Sequence, residues 1–245
     1  MSNRARDEAK DRIVRASISL FSEKGFDGTR VNEIAKEAEV NKALIYYYFK
    51  NKEDILDYLI ENLFTELTGL SLQFIGDSVV KMIKNDELDI KSDRFHFSDE
   101  EALGKFLEQA DTYIERLIDY AIERRQVLRI LMLESLKKRK HQKGLFRFME
   151  MTYNSDVNPL YKTIKEADSD YNITDSTSLV KFFFGLVPII NFAAYYDDWL
   201  KADIEIDEMK LRSTFMGIYR FMMKGFVSDT DIMINGKLNG CIDLA

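Results

Sequence analysis

The chain predicts an all-α protein, with an N-terminal three-helix head joined to a larger helical body. Three observations predict it. Only 2 prolines and 11 glycines occur in 245 residues, so few positions interrupt a helix. Apolar residues recur at helical spacing through nearly every segment. No alternation of period two persists, so no strand is expected, and no internal repeat is visible.

The first helix is expected over residues 6 to 24. Ile13, Ala16 and Leu20, with Val14, Ile18 and Phe21, form its apolar stripe. Gly25 is expected to end it in the αL conformation, with Phe26 as the apolar residue that accompanies this stop. A second helix is expected from Thr29, whose hydroxyl would cap it. With Thr29 as the cap, position N3 is Asn32, so the reciprocal capping box is absent. Val31, Ile34, Ala35 and Ala38 mark its inward face, and Ala35 is small where another helix must cross closely. After a tight turn, a third helix carries Ile45 and Phe49 inward. Asn51 then caps a fourth, with Glu53 and Asp54 in its first turn.

Tyr46, Tyr47 and Tyr48 stand in a row in the third helix. Successive helical residues are about 100° apart, so three cannot share one face. Ile45 and Phe49 already occupy the inward face. At least one tyrosine, and by the count of faces two, must point outward beside Lys42 and Ala43. Core packing is the ordinary fate of a tyrosine cluster, but this geometry opposes it. An outward patch of Tyr and Lys offers hydroxyl donors to phosphate, ring faces to thymine methyls and a cation to a nucleic-acid backbone. Lys52, at the start of the fourth helix, is placed to meet a phosphate; alone it would be an ordinary solvated charge.

Residues 10 to 56 resemble the DNA-binding domain of the tetracycline-repressor (TetR) family of transcriptional regulators. Ile13, Ala16, Leu20, Phe21, Gly25-Phe26, Thr29, Ile34-Ala35, Ala38, Val40, Ile45-Tyr46, Tyr48-Phe49 and Lys52 carry the resemblance in order and spacing. The match is specific but covers about a fifth of the chain. The resemblance implies phosphate contacts at Thr29, Tyr47, Tyr48 and Lys52, and groove contacts at Arg30, Lys42, Ala43, Leu44 and Tyr46. The chain departs from the family at Glu39, where the turn usually has Gly. An αL side chain there costs roughly 1–2 kcal/mol. It departs again at Asn41, Ala43 and Leu44, where Ser, Gly and Thr are frequent. Leu44 can make no base hydrogen bond, which implies an unusual recognition sequence.

The body is expected to hold helices over residues 52–83, 100–122, 125–139, 144–167, 176–199 and 206–227, with residues 85–99 as a loop. The last two are apolar on nearly every side, which calls for a partner surface, most simply a second copy. Pro188 should kink the first of them. The resemblance implies that these two helices form a four-helix dimer interface; Phe183, Val187, Ile190, Phe215, Tyr219 and Met222 are the candidates. It also implies an effector cavity in the body. Phe106, Tyr113, Tyr120, Met132, Phe148, Met151 and Phe184 are its candidate lining, suited to a small hydrophobic or aromatic effector, although most Phe and Met side chains simply fill a core. Asp197 and Asp198, beside Tyr195, Tyr196 and Trp199, are either a solvated helix end or a cation site. The organisation expected is a DNA-binding head over 1–52, an effector-binding and dimerisation body over 53–227, and a tail over 228–245 with turn signals at Asn235-Gly236 and Asn239-Gly240.

Net charge is −7, yet residues 1–52 hold 11 Lys and Arg against 8 Asp and Glu, leaving the body about −10. An acidic body repelled from DNA favours docking through the head. The single Cys241 excludes an internal disulfide framework and suits a reducing cytoplasm, and the charged N-terminus lacks a signal-peptide core. No apolar run is expected to reach the ~18 residues that span a bilayer. No enzyme is expected: His96 and His141 are the only histidines and fall in unrelated segments thought exposed. No phosphate loop, nucleophile elbow or metal-spaced cluster appears, and no cofactor is called for. The sequence thus points to a ligand-responsive transcriptional regulator, most simply a repressor released from a palindromic operator. The alternative is an effector-independent DNA organiser or scaffold using the same head.

Overall fold

The computed structural model describes residues 3–91, 94–137, 141, 144–153, 157–202 and 207–228. The expected tail beyond Ser228 lies outside them. The head comprises α1 (Asn3–Gly28), α2 (Val31–Glu37) and α3 (Lys42–Tyr48). The body begins with α4 (Lys52–Phe74), which runs through a π-helical turn, Ile75–Val80, into α5 (Lys81–Lys84). Then follow β1 (Leu88–Lys91), β2 (Arg94–Phe97), α6 (Glu100–Glu123), α7 (Arg125–Ser135), α8 (Arg147–Glu150) and α9 (Pro159–Ala167). α10 (Asp175–Val180), a second π-helical turn (Lys181–Leu186), α11 (Val187–Ala194), α12 (Tyr196–Lys201) and α13 (Glu208–Ser228) complete the fold.

The long helix from Lys52 has the extent its pattern predicts, and Asn51 caps it by accepting from the Asp54 amide at 2.8 Å. Residues 85–99 are not a bare loop. Leu88 pairs with Phe97 and Ile90 with Phe95 in an antiparallel hairpin. The alternation lasts only four residues per strand, too short to stand out among the charged residues around it. The hairpin covers a second, smaller core with Phe106, Ile75, Met82, Ile164 and Tyr171. The single helix expected over 144–167 is two short ones, because Pro159 lacks an amide proton and starts α9 with Asn158 as its cap.

Pro188 is accommodated by the π-helical turn directly before it. Widening that turn gives room for the ring and the carbonyls it leaves without an amide partner. Thr177–Ala194 is, against the sequence expectation, long and apolar enough on average to cross a membrane, because Lys181 breaks the run without lowering the average far. Only 39% of this stretch is buried within one chain. Asp197 and Asp198 are, as one of the two expectations had it, at a solvated helix end, the first turn of α12 at 40% and 48% exposure, where both also pair with arginines of α7. Both oxygens of Asp197 accept from Arg125 Nε at 2.9 Å, and Asp198 accepts from Arg129 at 2.6 Å.

One continuous core runs from Ile13, Ile34 and Ile45 in the head through Ile55, Leu59 and Leu63 of α4 to Ile118, Leu131 and Phe192 in the body. Ion pairs bind the outer helices: α13 reaches α6 through Arg212–Asp119 at 2.5 Å and Arg220–Asp111 at 3.1 Å.

Candidate nucleic-acid interface

The head is built from short-range constraints. α1 is interrupted at Gly25, which takes φ 74, ψ 160. The positive φ matches the sequence expectation, but the extended ψ is not αL. The chain turns there and brings the Phe26 ring edge-on to Phe21 at 5.2 Å. Thr29 does not cap α2. It is buried, and its hydroxyl faces inward toward the carbonyls of Leu20 (3.1 Å) and Gly25 (2.9 Å). The cap moves one residue on, to Arg30. Position N3 is then Glu33, whose carboxylate accepts from the Arg30 amide at 2.8 Å, so the glutamate half of a capping box exists after all. Lys24 donates to the other Glu33 oxygen at 2.8 Å, and these two hydrogen bonds hold the Glu33 carboxyl below its usual range.

The turn between α2 and α3 closes through Val40 N–H to Ala35 C=O at 3.0 Å, with Glu39 at φ 52. This left-handed residue is the one the sequence flags. Arg12 Nε in α1 donates to the Ala38 carbonyl at 3.1 Å, tying the turn to the first helix. Asn41 caps α3 through the Leu44 amide at 2.8 Å. Asn directly before a helix is a signal the sequence carries for this cap.

α3 buries Ile45, while Phe49 just beyond it closes the small core. Lys42, Ala43, Tyr46 and Tyr47 are exposed, Tyr46 at 48% and Tyr47 at 64%. At about 100° per residue these four fall within an arc of about 140°, a single face. Two tyrosines point outward, as the geometry requires. Lys42 Nζ lies 5.7 Å from the Tyr46 ring centre. Arg30 is exposed and Leu44 half-buried at the edge of the face.

Tyr48 and Lys52 are committed within the protein. The Tyr48 hydroxyl donates to the Arg6 carbonyl at 2.8 Å, and its ring meets Tyr47 edge-on at 5.0 Å. Lys52 Nζ donates to the carbonyls of Phe26 (2.6 Å) and Thr29 (2.9 Å) and lies 4.2 Å from the Phe26 ring centre. It ties the loop before α2 to the start of α4, with one N–H left over.

In the body, the candidate effector residues are scattered. Phe106 belongs to the hairpin core, while Phe148 packs on Phe64 at 4.7 Å between centroids. Met132 and Met151 flank the main core, and Phe184 is 46% exposed. Tyr113 and Tyr120 line grooves beside α6. A groove of about 180 Å³ between α4 with its π-helical turn and α6 is lined by Leu70, Gln73, Phe74, Asp77, Ser78, Gln109, Thr112, Tyr113 and Arg116. Phe74 and Tyr113 stack along it at 4.5 Å. The Tyr113 hydroxyl shares a 2.8 Å hydrogen bond with Ser71, and burial pushes its pKa up. A more open depression of about 470 Å³ adjoins it, lined by Tyr120, Arg116, Gln73 and several acidic residues. Among the candidate interface residues, Phe183 is exposed and Val187, Phe215 and Met222 are partly buried. Ile190 and Tyr219 are buried within the chain, the latter donating to the Gly185 carbonyl at 2.8 Å. Ile218 and Phe221, unremarked in the sequence as interface residues, are exposed on α13. His141, thought exposed, has a side chain only 14% exposed, its Nε2 3.4 Å from Asp57 Oδ1 in α4 but without a hydrogen bond.

Residues 13–59 match the family model described as bacterial regulatory proteins, tetR family. The chain is 47% identical over 69 residues to the Staphylococcus epidermidis biofilm operon icaADBC HTH-type negative transcriptional regulator IcaR, covering 28% of this chain and 37% of that one. The Staphylococcus aureus (strain Newman) protein of the same description is 41% identical over 61 residues, 25% of this chain and 33% of its own. The match thus spans little more than a third of these relatives. A solved Clostridium perfringens protein, assigned as a fatty acid metabolism regulator, superposes over 88% of this chain and 98% of its own with a TM-score of 0.51 at 21% identity, a likeness of fold.

Proposed function

We propose that this chain, which belongs to the tetR family of bacterial regulatory proteins, is a dimeric transcriptional regulator that reads a palindromic operator and is released by a small effector. One observation carries the DNA-binding part: the exposed Lys42, Ala43, Tyr46 and Tyr47 face on a helix whose other side is locked into the head. A helix in the major groove needs such a face, polar and aromatic where packing would dictate aliphatic residues. Arg30, Lys42, Ala43, Leu44 and Tyr46 are assigned to the groove, and Tyr47 and the spare N–H of Lys52 to phosphates. The hydroxyl protons of Thr29 and Tyr48 are already spent on carbonyls, so these two support the surface.

Residues 1–52 act as the reading head and 53–227 as the control and dimerisation body. The core is continuous across that boundary, which lets a shift of α4 turn the head. Dimerisation through α11 and α13 would cover Phe183, Ile218 and Phe221, which are 52%, 59% and 81% exposed in one chain. The groove against α6 is the effector site this reading favours. Its ligand would be flat or apolar enough to lie on Phe74 and Tyr113. A coupling of about 1–3 kcal/mol between groove and head suffices for a 5- to 150-fold change in DNA affinity. The small volume of that groove favours a second reading, a regulator or DNA organiser without an effector, since ligand pockets commonly hold about 300–1,000 Å³.

Fluorescence anisotropy tests the proposal, with DNA from upstream of the chain's own gene and scrambled DNA at two salt concentrations. Selective binding supports operator reading, and compounds that lower it define the effector. In that assay Lys42→Ala and Tyr46→Ala should alter sequence preference, whereas Lys52→Ala should weaken all duplexes alike and reduce the salt slope. Equal effects of all three on specific and random DNA would remove this assignment of roles. Equally weak, salt-sensitive binding of the wild type to both duplexes would support the organiser.

A further inference from the structure

We propose that Arg6, in the first turns of α1, is a phosphate-contact residue, and that Tyr48 acts through it by holding α1 beside the recognition helix. The inference rests on the DNA-binding role proposed above. The Tyr48 hydroxyl donates to the Arg6 carbonyl at 2.8 Å across 42 residues of sequence. A phenol has one proton, so while this bond stands Tyr48 cannot also donate to a phosphate. What the bond does is tie the backbone of Arg6 to α3, whose Tyr47 is 64% exposed and edge-on to Tyr48.

The Arg6 side chain is exposed and has no hydrogen bond or ion pair among the described residues. Arg15, Lys36 and Lys50 are also exposed, but Arg6 alone of these four has its backbone tied to α3 by a side-chain hydrogen bond from that helix. Four other cations of the head are engaged. Lys24 is held by Glu33, Arg12 by the Ala38 carbonyl and Lys52 by two carbonyls. Lys10, one turn further along α1, lies over the Tyr58 ring at 4.0 Å. Arg6 is thus an uncommitted guanidinium, anchored by its backbone at the flank of the groove-reading face. A phosphate of the duplex strand passing α3 is the ligand it fits, through the paired N–H groups of its fork. The contact would carry no sequence information and would set the register of the head on the duplex.

The test uses the full chain, a labelled duplex selected from random sequence by the wild-type protein, and a scrambled duplex of equal length. Each phosphate contact adds about 0.9 to the slope of log affinity against log salt, roughly a threefold change in affinity between 50 and 200 mM. Arg6→Gln should lower affinity for both duplexes and reduce the slope by about that amount, with selectivity unchanged. Arg6→Lys should restore the slope. Tyr48→Phe, which removes only the hydroxyl, should reproduce much of the loss, and Arg6→Gln added to it should cost less than about twofold more. Thermal melts identify any variant that fails to fold, and Arg6→Ala, a charge-removing change to a strong helix former, then carries the slope comparison in place of Arg6→Gln. An unchanged slope in Arg6→Gln overturns the proposal, as does full additivity with Tyr48→Phe. If Arg6→Gln is silent while Tyr46→Ala still shifts preference, the Arg6 contact falls and the DNA-reading role stands. If the wild type selects no duplex, both fall.

Discussion

Glu134 offers a quantitative test of how head and body are joined. Its side chain in α7 is 4% exposed, and Lys137 Nζ meets its carboxylate at 2.5 Å. The same ammonium reaches Asp27 in the last turn of α1 at 3.0 Å. Lys137→Met keeps the bulk of the stem and removes the charge, leaving a buried carboxylate without its cation. Breaking a fully buried pair costs about 3–5 kcal/mol. Lys137 is itself 35% exposed, so water recovers part of that, and about 2 kcal/mol is the expected loss. In a chain of this size the melting temperature should fall by roughly 4–8 °C. Glu134→Gln leaves Lys137 with Asp27 and water, and should cost about 1 kcal/mol. The double variant has no stranded charge, so it should be more stable than the sum of the singles by at least about 1 kcal/mol. Asp27→Asn, at a partner 48% exposed, should cost under about 1 kcal/mol. The Glu134 hydrogen bond, helped by Asp27 and opposed by desolvation, raises the Lys137 pKa above its ordinary 10.5. The pair's contribution is therefore fully present below pH 10.5 and is lost as pH rises through the raised value. Chemical denaturation at fixed protein concentration reads all of these. A Lys137→Met variant within about 0.5 kcal/mol of wild type, or strict additivity in the cycle, would refute the account.

Three further outcomes follow from single residues. Phe221→Asp, at a side chain 81% exposed on α13, should leave each chain folded but shift sedimentation from dimer to monomer at micromolar concentration; an unmoved dimer would place the interface elsewhere. Glu39→Gly should relieve the φ 52 strain and raise stability by up to about 1 kcal/mol, the unfolded-state entropy of glycine offsetting part of the gain, which denaturant midpoints would measure. A Cβ at Gly144 would sit 2.5 Å from Leu131 Cδ1 and 3.0 Å from the His141 carbonyl, so Gly144→Ala should lower stability by about 1–3 kcal/mol, readable in the same titration.

The head was more legible in the sequence than the body, and the reason lies in the range of the interactions that build each. Ile34, Ile45 and Phe49 meet across a dozen residues, so helical spacing alone brings them together, and three adjacent tyrosines cannot all be hidden. Even the strained Glu39 was marked by the need for a tight turn. The cap of α2 differs from the expectation by one residue, whereas Gly25, Tyr48 and Lys52 differ in conformation or partner. Thr29 looks like a cap from the sequence, but its hydroxyl is drawn to the Leu20 carbonyl nine residues back, and Arg30 takes the cap position. In the body, the decisive contacts bridge distances that no periodicity reports. Asp197 meets Arg125 across 72 residues and Arg220 meets Asp111 across 109. A stripe of Phe and Met says that a helix is buried but not against what. The proposed effector residues therefore separate into two cores and an exposed surface, while the groove is lined mainly by others, among them Leu70, Phe74, Gln73, Gln109 and Arg116. The hairpin hid for the opposite reason: its pairing is local, but four residues of alternation per strand fall below what a pattern can separate from chance. Legibility thus depends on both the span of a contact and the number of residues that repeat it. Tyr48 shows the same limit at the interface itself. Its ring position follows from helix geometry, but the destination of its hydroxyl, the Arg6 carbonyl 42 residues away, requires the fold.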